Sequence, residues 1–92
     1  MNNIREIGIP VNIYKNVMVE EIGVKEEITR FDHRIIDRRI EILTRIYNSS
    51  GEVIKEDYIN VVDADYDVLK VDSISIDEQK LWQVIDSIRE RK

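Results

Sequence analysis

The chain has 92 residues, with 14 basic and 19 acidic side chains and a formal net charge of −5. That length predicts a single small domain over residues 1–92. The acidic balance makes the chain a poor non-specific binder of phosphate backbones, since that affinity draws on counterion release by Lys and Arg. The absence of cysteine excludes disulfides, thiol nucleophiles, thiolate zinc sites and iron–sulfur clusters.

Met1 to Pro10 carries no basic stretch followed by an apolar run, so no signal peptide is expected. Apolar runs of two or three residues are far too short for a membrane helix. The expectation is a cytoplasmic protein without membrane contact. Seventeen Ile and ten Val stand against three Leu and one Ala. Side chains branched at Cβ lose rotamer freedom in helices and pack well on a pleated sheet. A sheet-dominated fold follows.

In chain order, Val11 to Ile22 alternates in part between apolar and polar, with Val17 and Val19 as the cleanest pair, and Pro10 suits a strand start or an edge. Gly23 reads as a bend. Glu26 to His33 reads as a further strand, turning near Arg34 to Asp37. A helix from Lys25 to Tyr47 competes, because Ile28, Phe31, Ile35, Ile42 and Ile46 also fit helical spacing.

Arg38 to Tyr47 gives the clearest signal. Ile40, Ile42, Thr44 and Ile46 share one face, and Glu41, Leu43, Arg45 and Tyr47 the other. Asn48-Ser49-Ser50-Gly51 then predicts a type I turn closed by a glycine bulge, with Glu52 to Val62 as the return strand.

Asp63 to Asp67 reads as a turn or one helical turn, and Val71 to Ile76 as linker or a short strand. The C-terminal segment predicts a helix. Ser75 and Glu78 have capping-box spacing. Leu81, Val84, Ile85 and Ile88 form its apolar stripe, flanked by Trp82. Arg89, Arg91 and Lys92 suit the negative end of its dipole. The predicted fold class is α+β: an antiparallel meander of three or four strands packed with a C-terminal helix.

The residue types offer little chemistry. Asp32 and His33 adjoin, but neighbouring strand residues face opposite ways, and no nucleophile accompanies them. Asp63, Asp65 and Asp67 resemble the opening of a calcium loop, yet Val68 and Ile74 stand where Gly and Glu are needed. Gly8, Gly23 and Gly51 are isolated and make no phosphate loop. No enzyme, cofactor or metal is expected. Arg34, Arg38 and Arg39 are the only support for direct nucleic-acid binding.

Two features are candidate contact surfaces. One is the acidic run, with nine acids and two bases from Glu52 to Glu78, in which Asp57, Asp63, Asp65, Asp67 and Asp72 are the candidate patch. The other is the aromatic set Tyr14, Tyr47, Tyr58, Tyr66 and Trp82, residue types common at interface centres.

Tyr47-Asn48, Gly51, Val53-Ile54, Tyr58 to Val62, Asp65-Tyr66-Asp67 and Asp77 to Ile88 together resemble a type of small protein of tailed bacteriophages and prophages. The likeness covers Arg38 to Ile88. It implies a non-enzymatic phage protein in host cytoplasm or virion, and it transfers no functional residues. The expected function is a protein–protein interaction module that assembles with itself or a larger partner through a sheet edge and aromatics. The alternative is an acidic inhibitor of a nucleic-acid-handling protein, of the anti-CRISPR or anti-restriction type.

Overall fold

The computed structural model describes residues 3–72 and 74–91. Four strands, β1 (Ile4–Lys15), β2 (Val17–Arg34), β3 (Arg39–Tyr47) and β4 (Val53–Val62), form one antiparallel sheet in the order β1-β2-β3-β4. Helix α1 (Asp63–Leu69), a 3-10 turn (Glu78–Lys80) and helix α2 (Leu81–Glu90) follow. This is the α+β class expected. The Lys25–Tyr47 helix is overturned: the segment is strand, turn and strand, because a β-branched repeat loses less side-chain freedom on a sheet.

The chain packs as two compact units, residues 30–42 with 58–91 and residues 3–29 with 43–57, and β2, β3 and β4 contribute to both. In the first, helical unit, the core is Ile40 and Ile42 of β3, Ile59 and Val61 of β4, Tyr66 and Leu69 of α1, and the predicted stripe of α2. Burial in β3 alternates without a break, as the sequence pattern requires. The helical start differs from expectation. Asp77, not Ser75, accepts from the Gln79 backbone N–H at 3.1 Å, because the turn opens two residues later. Arg89 lies in the last turn of α2; Lys92 is outside the described residues. Between the helices, Lys70 and Ile76 form an isolated antiparallel bridge.

In the second, ribbon unit, the expected strand Val11–Ile22 is broken at Asn16. Asn16 has φ 66° and turns the chain between Lys15 and Val17. Asn tolerates that left-handed conformation better than most residues. Gly23, expected as a bend, lies inside β2. A Cβ there would stand 2.5 Å from Cγ2 of Ile46, so Gly is required by a close side-chain approach. Ile46 shares a buried cluster with Val11 of β1 and Ile54 of β4, and Ile7 and Ile13 pack on it. Gly23 leaves the space for Ile46 of β3 and for Ile7 and Ile9 of β1, whose side-chain atoms lie 2.5, 3.5 and 3.6 Å from where its Cβ would stand. The hairpin of β3 and β4 closes as predicted: Gly51 has φ 84° and donates to the Asn48 carbonyl at 3.0 Å, while the Asn48 side chain accepts from Ser50 and Glu52.

Candidate interaction surfaces

The acidic candidates divide between the units. Asp57 belongs to the ribbon unit and has partners of its own. Asp63, Asp65 and Asp67 lie on α1 in the helical unit, and a helix cannot wrap a cation as a calcium loop does. Asp65 accepts from Arg91 at 2.6 Å, and Asp67 pairs with Arg38. Asp72 turns its carboxylate onto the backbone N–H groups of Ile74 and Ser75, which hold it below the usual carboxylate range. Four of the five acids are thus engaged within the fold. Among the described residues no cluster of three metal-ligating side chains is present.

The basic cluster is likewise neutralised. Arg34 lies 3.2 Å from Asp32, 3.7 Å from Glu41 and 3.9 Å from Asp37, and these carboxylates, Glu41 foremost, raise its pKa. Arg39 approaches Glu41 at 3.5 Å. Asp37, Arg38, Arg39, Asp63 and Asp67 line an open cleft of about 700 Å³ that carries charges of both signs.

The aromatic candidates have different fates. Tyr66 is buried, with its hydroxyl 2.8 Å from His33 Nε2 and the Arg38 guanidinium near its ring, so it is a core residue and presents no contact surface. Tyr47 is half-buried. It donates to Glu27 at 2.8 Å, and that carboxylate pushes the phenol above its usual range, while Lys25 sits 4.8 Å from its ring centre. Trp82 is partly buried on the flank of α2 and Tyr58 is half-exposed on β4. Tyr14 is 73% exposed.

Tyr14 leads to a surface that the sequence did not single out. Residues opposite one another in an antiparallel pair share a face. The pairs Tyr14–Met18, Asn12–Glu20 and Pro10–Ile22 alternate with Ile13–Val19 and Val11–Glu21. Val11 and Ile13 belong to the inner cluster, so the first three pairs face outward. Met18 is 65% and Ile22 51% exposed, and Val24 continues the strip. Lys15 and Glu21 pair with each other at 3.1 Å, which leaves Glu20 as the charged residue of these three outward pairs. The legible signal was Asn16: placing the turn there would have set Tyr14 opposite Met18.

The edge of β1 is poorly suited to strand addition. Pro10 has no N–H, and the register shifts between Glu6 and Ile9. Both features blunt edge pairing. No helix among the described residues is long and apolar enough to cross a membrane. Comparison with known proteins finds no matching family model, curated protein or solved structure.

Proposed function

We propose that this protein is a non-catalytic protein–protein interaction module, and that it binds through the outer face of the β1–β2 ribbon. The observation that carries the reading is the exposure of Tyr14 and Met18, and of Ile22 beside Pro10 two pairs further along, on one side of a hydrogen-bonded ribbon. Contiguous apolar patches beyond a few hundred Å² are uncommon on free monomers and mark contact sites. Tyr and Met are enriched at interface centres. Asn12 and Glu20 set a polar pair between the two apolar rows of this face.

A non-catalytic role draws support from the same fold. Asp32 is occupied by Arg34 and His33 by Tyr66, so the two do not act as an acid–base couple. A structural or accessory protein of the tailed-phage type fits this reading, in line with the resemblance over Arg38 to Ile88. The inhibitor alternative draws less support, because Asp65, Asp67 and Asp72 spend their charge inside the fold.

Photo-cross-linking tests the reading. A benzophenone side chain replacing Tyr14 should give a discrete covalent product with a protein in cells, and the same group at exposed Asn60 should not. Equal labelling at the two positions, or none at Tyr14, would remove it.

A further inference from the structure

The outer face of the ribbon is complementary to itself. Each of its three outward pairs sets unlike residues side by side: Tyr14 on β1 beside Met18 on β2, Asn12 beside Glu20, and Pro10 beside Ile22. We propose that two copies of this chain pack these faces together in parallel, about a two-fold axis running along the ribbon. The proposal deepens the interaction-module reading and rests on it.

Such an axis lays β1 of one copy over β2 of the other. Tyr14 then meets Met18 of the second copy, a favourable sulfur–aromatic contact made twice. Pro10 meets Ile22 of the second copy. Asn12 meets Glu20 of the second copy, and its amide donates to that carboxylate in a charge-assisted hydrogen bond. The charged residue of these pairs is thereby satisfied twice over. The antiparallel alternative sets Glu20 over Glu20 and leaves two like charges facing across a drying contact. Charge therefore selects the parallel arrangement. Two twisted ribbons pack face to face with their strands nearly aligned, as this requires.

The size is sufficient. Covering the three outward pairs removes on the order of 500 Å² per copy, so the contact buries roughly 1,000 Å², where specific interfaces begin. An interface at this lower bound predicts a weak, reversible dimer.

Sedimentation velocity on the purified full chain, from micromolar to submillimolar concentration, tests the proposal. The expected result is a monomer–dimer equilibrium whose dissociation constant rises at least about tenfold in Met18→Asp and in Tyr14→Ser. Both positions are exposed, and far-UV circular dichroism at low concentration checks that each variant folds. The native chain has no cysteine, so the geometry can be tested directly. Packed sheets lie about 10 Å apart, too far for a direct disulfide, so a mixture of the single variants Tyr14→Cys and Met18→Cys should be joined by a short bifunctional thiol reagent into a covalent dimer faster than either alone. A monomer at every concentration, a dimer indifferent to Met18→Asp, or equally fast cross-linking of Tyr14→Cys by itself would each overturn the proposal. A monomer whose position 14 still cross-links to a different protein would overturn the second copy as occupant and leave the interaction-module reading standing.

Discussion

Arg5 grips Glu26 from the neighbouring strand: Nε and Nη2 both donate to one carboxylate oxygen, at 3.2 and 2.8 Å, and the Glu26 side chain is only 1% exposed. Their positions are set by direct cross-strand pairing in the ribbon unit. A buried ion pair gains little over an apolar pair of similar shape, but a buried carboxylate without its cation is costly. Arg5→Met alone is expected to destabilise by about 3–5 kcal/mol. The double change Arg5→Met with Glu26→Leu should recover most of that loss. Urea unfolding of the two single variants and the double variant checks this.

Gly23→Ala forces a Cβ to within 2.5 Å of Ile46 Cγ2. Overpacking of that kind costs about 1–3 kcal/mol. Ile46→Ala removes the clashing methyl at the expense of a cavity. A double-mutant cycle should therefore give a favourable coupling between the two changes. Strict additivity would contradict the close approach.

Tyr66→Phe keeps the ring in the helical core but takes the hydroxyl from His33 Nε2. The expected loss is about 1 kcal/mol, typical of one hydrogen bond. The ring nitrogen shifts of His33 should move in the variant, as read by nitrogen-15 NMR. Unchanged shifts would argue that the hydrogen bond is absent in solution.

Asp72 is held below the usual carboxylate range by two backbone N–H groups. A depressed native pKa contributes stability that is present above the unfolded-state value and is lost as pH falls through the native value. In Asp72→Asn that acid-dependent part disappears. The melting temperature of the variant should fall less steeply than that of the wild type over this interval. Parallel curves would contradict the two hydrogen bonds.

The hairpin around Gly51 was legible because three signals coincide there: strict alternation over Arg39–Tyr47, an Asn that bonds its own turn, and a Gly at positive φ. The stripe of α2 was legible for a similar reason, since Leu81, Val84, Ile85 and Ile88 admit only a helical period. The β1–β2 ribbon was not. Its turn residue is Asn16, which is less distinctive than Gly, and its one Gly lies mid-strand for a packing reason that no local pattern announces. Burial also shifts by one position between Ile54 and Ile59 in β4, and between Gly23 and Glu26 in β2, so simple alternation fails there. The candidate acids were visible as a run, but their ion pairs with Arg38 and Arg91 join residues 29 and 26 positions apart. Such pairs exist only once the fold brings them together.

Hydroxyl-radical footprinting across a concentration series tests most directly whether the outer face of the ribbon is the contact surface. Tyr14 and Met18 react readily when exposed, and Tyr58 of β4, itself half-exposed, serves as the internal reference. Self-association should slow oxidation of Tyr14 and Met18 together while Tyr58 keeps its rate. Association seen by light scattering without protection of Met18, or protection confined to Tyr58, would contradict the account.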